Sequence, residues 1–119
     1  MIAEQIKKLL PQHLQDITYI GDLPTDVDAC VALMEVGGPH GTYFAGDQMD
    51  TPHLKVLIRN SSFTAGYTVA AQCKNTLTSH SDLQNLSVIL IGDIMYMGRD
   101  DKRRNVWQLT YKIYSYIGR

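Results

Sequence analysis

The last dozen residues before the C-terminal Gly-Arg restrict the possible folds most. From Val106 onward, Trp107, Leu109, Tyr111, Ile113 and Ile117 fall on one side of a period-two pattern. Gln108, Thr110, Lys112, Tyr114 and Tyr116 fall on the other. Successive side chains of a strand point to opposite faces, so this pattern predicts a long strand with one face in a core. Just before it, Arg99, Asp100, Asp101, Lys102, Arg103 and Arg104 form an unbroken charged run, bounded upstream by the apolar stretch LSVILIGDIMYM. A short, charged, Gly-containing link between two strands predicts a hairpin.

The rest of the chain supplies a sheet and its cover. HLKVLIRN alternates, with Leu54, Val56 and Ile58 on one face and Lys55, Leu57 and Arg59 on the other. CVALMEV, Cys30 to Val36, is short, apolar and bounded by turn residues, which suits a buried strand. A brief strand is expected at Ile17 to Ile20, and Gly92 with Asp93 predicts a bulge or kink in the strand before the charged run. Two segments switch to the helical period. Ile2, Ile6, Leu9 and Leu10 predict a short amphipathic helix that ends or kinks at Pro11. Phe63, Gly66, Tyr67, Ala70, Cys73 and Leu77 form an apolar stripe behind Ser62, a suitable N-cap. GDLPTDVDA, Gly21 to Ala29, is expected to be a loop. At 119 residues the chain has the size of one domain, 1–119, of α+β class. The expected architecture is a mixed, mainly antiparallel sheet with two helices packed on one face.

Charge and composition narrow the function. A formal net charge of −1 provides no long-range field to attract phosphate backbones or anionic lipid, so neither nucleic acid nor membrane is expected as a partner. No apolar run approaches the ~20 residues that span a bilayer, and the N-terminus lacks the uninterrupted apolar core of a signal peptide. Cys30 and Cys73 stand far apart without a C-x-x-C pattern and read as buried free thiols. His13, His40, His53 and His80 fall in four separate segments, so no metal site is expected of them. Asp26 and Asp28 lack the glycine and distal Glu of a calcium loop. GGPHG at Gly37 to Gly41 lacks the G-K-[ST] ending of a phosphate loop, and Ser61 and Ser62 lack a nucleophile elbow. No cofactor and no catalysis are expected.

Two segments suit contacts with other proteins. Gly37 to Pro52 carries four glycines and two prolines with Tyr43, Phe44 and Met49, and irregular stretches of this length are often functional. The charged run contains four bases and two acids, a net of +2, so it fits protein docking or a solvated tip better than a phosphate backbone.

The order of these landmarks resembles the minor capsid and tail terminator proteins of long-tailed bacteriophages. Asp50, Thr51 and Pro52 lead into the strand that closes on Arg59; Phe63, Tyr67, Ala70 and Ala71 mark the following helix; Gly98, Arg99 and Asp100 open the hairpin before the last strand. The sequence departs from the family pattern at Thr51, between acid and proline, and in its more basic hairpin. The resemblance implies a structural virion protein, made in the cytoplasm of the bacterial host from a virus or prophage. Its subunits would close into a ring, hexameric in expectation, that caps the tail tube at its head-proximal end and receives the head. The implied partners are further copies of the chain, the tail tube protein and the head-tail connector protein. On this reading the candidate contact residues are Tyr43, Phe44, Met49, Asp50, Arg99, Asp100, Lys102, Arg103 and Arg104, and Asp47 and Asp50 are candidates for an acidic lumen that repels exiting DNA. Two alternatives remain: a connector or other neck subunit, or a small ligand-binding or accessory enzyme domain built on Gly37 to Gly46.

Overall fold

The computed structural model describes residues 2–36, 53–79, 82–83 and 86–115. Tyr43, Phe44, Asp47, Met49 and Asp50, together with His40 and the whole Gly37 to Pro52 segment, lie outside the described residues. Six strands form one sheet in the order β1-β2-β3-β6-β5-β4: β1 Thr18–Ile20, β2 Cys30–Val36, β3 His53–Asn60, β4 Asp82–Leu83, β5 Leu86–Arg99 and β6 Asn105–Ser115. Only β1 and β2 pair in parallel. Every other neighbouring pair is antiparallel. The fold is the expected α+β class, a mixed and mainly antiparallel sheet with helices on one face.

Strand parity decides which face is covered. Val31, Leu33, Leu54, Val56, Ile58, Trp107, Leu109, Tyr111 and Ile113 are buried and share a core with helical residues. Those come from three helices: α1 Ile2–Leu9, α2 Gln12–Gln15 and α3 Phe63–Ser79. Ala3, Ile6, Leu10 and Leu14 cover one part of the sheet, and Ala70, Cys73 and Leu77 another. The break expected at Pro11 is present, and a further helical turn follows it: the Leu14 and Gln15 amides donate to Pro11 O at 2.9 and 3.0 Å. At the start of α1, the Ala3 amide, one of the donors a helix leaves unpaired, donates to Glu35 Oε1 of β2 at 2.7 Å. Ser62 caps α3 as its position suggests, accepting from the Ala65 amide at 3.2 Å.

The helical stripe behaves differently at its two ends. Gly66, Ala70, Cys73 and Leu77 are buried, whereas Phe63 and Tyr67 remain 54% and 50% exposed. The kink expected at Gly92 and Asp93 is a bulge: the pairing of β5 with β6 slips between Ile91 and Met95, and Gly92 has φ 79°. A second slip lies between Tyr96 and Gly98.

Both cysteines are free and buried. Burial pushes the Cys73 thiol up to about 12. It also raises Cys30, against the opposing charges of Arg59 and Arg104. Since the thiolate is the reactive species, neither residue should react with a thiol reagent in the folded protein. Both should react once it is unfolded in urea; rapid labelling of the native protein would contradict this burial.

Candidate assembly site at the hairpin end

One end of the sheet gathers the β5–β6 hairpin, the Gly21 to Ala29 loop, the end of β3 and the start of α3. Two arginines organise it. Arg59 is the last but one residue of β3, and its parity with Lys55 and Leu57 places it on the face away from the helices. On that face Lys55 and Leu57 are partly exposed, but Arg59 is only 5% exposed. Its guanidinium donates to Pro24 O and Val27 O, fastening the Gly21 to Ala29 loop as a strap across the helix-free face. Arg104, at the end of the hairpin turn, reaches the same strap from the other side. Its Nη1 donates to Thr25 O at 3.0 Å and Val27 O at 3.2 Å, and lies 3.5 Å from Asp28 Oδ1. The strap explains why Cys30, on the same face of β2, is buried.

Asp100 and Arg104 then close the turn on itself. The Asp100 carboxylate accepts from the Arg104 amide at 2.8 Å, from Arg104 Nε at 2.8 Å and from the Lys102 amide at 3.0 Å. Partial burial pushes the Asp100 carboxyl up, but these hydrogen bonds and the Arg104 charge outweigh it and hold the group below the usual aspartate range. A depressed native value means that the carboxylate stabilises the fold fully above the ordinary aspartate value of about 3.9. That contribution is lost only as pH falls through the lower native value. An NMR titration of the Arg104 amide should therefore show its midpoint below about 3.9, and Asp100→Asn should abolish the transition; a midpoint at or above the ordinary value would overturn the turn geometry.

The six charged residues thus divide into two sets. Asp100 and Arg104 spend their hydrogen-bonding capacity inside the chain. Arg99, Asp101, Lys102 and Arg103 are exposed, with Lys102 Nζ 3.5 Å from Thr25 O. Arg103 has φ 62°, the left-handed region in which a residue with a Cβ is disfavoured.

Beside these bases lies a group of rings that the sequence pattern did not single out as a surface. Phe63, Tyr96 and Trp107 contact one another edge-on or tilted, with centroids 5.2 to 5.4 Å apart. Tyr96 OH donates to Asn105 Oδ1 at 2.7 Å, and Asn105 Nδ2 donates to Asn60 O and Ser61 O. Trp107 is buried, but Phe63 and Tyr96 are 54% and 44% exposed. Half-exposed aromatics next to exposed arginines are the residue types that anchor protein interfaces. Among the described residues, no three of His, Cys, Asp and Glu come together as a metal would need.

The sequence of residues 5–117 matches the model of one protein family, the bacteriophage tail terminator proteins. The chain belongs to that family. It is therefore a structural phage tail protein, associated with the virion and with its other tail or head components. No curated protein matches the chain at a significant level. Among the described residues, no helix is long and apolar enough to cross a membrane.

Proposed function

We propose that this tail terminator closes into a ring, hexameric in expectation, on the head-proximal end of the tail tube. There it ends tube polymerisation and offers the surface that the head-tail connector protein meets, without catalysis, cofactor or specific nucleic-acid binding. Family membership over 113 of the 119 residues, 5 through 117, carries this reading. Repeating one head-to-tail contact around an axis until it closes is the route by which a single small domain makes such a cap. The hairpin end is the contact surface we assign, through Arg99, Lys102 and Arg103 and the rings of Phe63 and Tyr96. The candidates between Tyr43 and Asp50 remain part of the proposal as sequence expectations only.

Particles from a genome lacking this gene test the function. Overlong, headless tails beside full heads are the expected products in electron micrographs. Joined virions of normal length would overturn the reading, and tails of correct length without heads would reassign the chain to the connector.

Arg103 tests the surface separately. A residue with a Cβ at φ 62° costs on the order of 1 kcal/mol relative to glycine. Arg103→Gly should therefore raise Tm by a few degrees. If the side chain serves docking, the same substitution should lower the yield of completed tails at least several-fold. A more stable variant with normal tails would remove Arg103 from the contact.

A further inference from the structure

The two edges of the sheet fit each other. On one side, β1 is the last strand among the described residues. Val31 N–H donates to Ile17 O and Gly21 N–H to Leu33 O, so the alternate residues of this parallel pair, Thr18 and Ile20, turn their backbone groups away from β2; Thr18 is covered, at 4% exposure, and Ile20, at 39%, carries the open edge. On the other side, β4 pairs only with Leu86 and Ser87 of β5. From Val88 to Arg99, β5 therefore has no outer strand among the described residues. That stretch carries exposed Ile89, Ile91 and Met95, at 49%, 43% and 56%. A long apolar strand with a free edge is a template for another strand.

The free stretches lie at the same height. Reading straight across the sheet, Tyr19 is level with Ala32, Leu57, Gln108 and Met95, and Thr18 with Val31, Ile58, Trp107 and Tyr96. They also run in opposite directions. β1 follows β2, and three successive antiparallel pairings from β2 through β3 and β6 leave β5 reversed. The short β4 caps β5 only at its far end, at the level of Ser115 and Tyr114, below every row that β1 occupies.

We infer that the occupant of the free β5 edge is β1 of a second copy of this chain, added antiparallel so that the sheet continues from subunit to subunit. Copies related by rotation about an axis along the strands keep β5 pointing one way and the incoming β1 the other, as an antiparallel ladder requires. Tyr19 and Ile20, each 39% exposed, then meet Met95 and its neighbours. A heterologous contact of this kind closes into a ring or runs on as a filament. The contact presupposes the ring proposed above and names the residues that would build it.

A disulfide trap tests it. Tyr19 and Met95 stand on opposite edges of one sheet, so cysteines there cannot bridge within a chain, and native Cys30 and Cys73 are buried. The double variant Tyr19→Cys with Met95→Cys, and a companion with Met97→Cys in place of Met95→Cys to allow for the bulge before Gly98, are oxidised on tail tubes purified from a lysate lacking the gene. At one of the two positions a ladder of disulfide-linked oligomers, collapsed by reductant, is expected on gels without reductant, at least tenfold above either single variant. The single variants mixed should give only dimers. Rings visible on the tube ends without any cross-link would overturn this contact while leaving the ring intact. Bare tube ends with wild-type protein would overturn the ring, and this contact with it.

Discussion

Arg104→Ala is expected to destabilise the protein by about 3 kcal/mol, a fall in Tm of roughly 10 °C for a domain of this size. The magnitude follows from what the guanidinium leaves behind. Arg104 is 4% exposed, and its removal strands the carbonyls of Thr25 and Val27 and takes the partner from Asp100 at the base of the hairpin turn. Arg59→Ala should cost a similar amount, because Arg59 holds the strap through Pro24 O and the same Val27 O. The two arginines are therefore coupled through one acceptor. Once the strap is released by the first substitution, less is lost with the second, and the double variant should fall short of the additive sum by about 0.5 to 3 kcal/mol. Arg104→Lys keeps the charge but loses the planar fork that reaches Asp100 and the strap together, so it should recover only a minor part of the loss. Urea titrations of the four proteins measure the coupling. Strict additivity would mean that the strap is held by something other than these two side chains.

This clamp also marks where sequence reasoning stops. The period-two pattern of Leu54, Val56 and Ile58 places the core face of β3 correctly, because a strand has only two faces and burial selects one. The same pattern assigns Arg59 to the open face, since periodicity carries no information about what a distant loop does. Arg59 is buried by Pro24 to Val27, some 32 to 35 residues earlier in the chain. The turn residues of Gly21 to Ala29 correctly announce irregular backbone, and Asp22 does satisfy a neighbouring amide, that of Leu23 at 2.8 Å. They do not announce that the loop is a strap. A similar limit holds for the charged run. Its place in a hairpin is legible from the flanking strands, but the division between inward Asp100 and Arg104 and outward Arg99, Lys102 and Arg103 depends on turn geometry that composition does not encode. A short Asp with an Arg four residues on, across a turn, is the sequence signal that would have pointed to it. The aromatic group was hidden differently: Phe63 and Tyr67 fit the core stripe of α3 by spacing, yet they flank its buried line of Gly66, Ala70, Cys73 and Leu77 and stay half-exposed.

Gly66→Val carries the other large expected effect, and its sign is opposite to what helix propensity alone gives. Glycine inside a helix is normally a weakness, and its replacement by alanine favours the helix by about 1 kcal/mol. Here a Cβ on residue 66 would stand 2.2 and 2.6 Å from Cζ3 and Cη2 of Trp107 and 2.9 Å from Cβ of Asn60. None of these neighbours can yield easily. The Trp107 ring is 1% exposed and packed against Phe63 and Tyr96. Asn60 lies in β3 opposite Asn105, whose side chain is itself bonded to Asn60 O. Overpacking at a well-filled site costs about 1 to 3 kcal/mol, so Gly66→Ala should be destabilising in spite of its propensity gain. Gly66→Val, larger and β-branched, should cost more, about 3 kcal/mol. Trp107 is the single tryptophan of the chain, so its fluorescence reports the site without labelling. Both variants should shift its emission and lower the urea midpoint. The decisive comparison is the double variant Gly66→Ala with Trp107→Phe. A smaller ring makes room for the methyl group, and the alanine substitution, destabilising beside tryptophan, should become neutral or stabilising beside phenylalanine. If alanine costs the same in both backgrounds, the close approach of α3 to β6 at Gly66 is not what the glycine is there to permit.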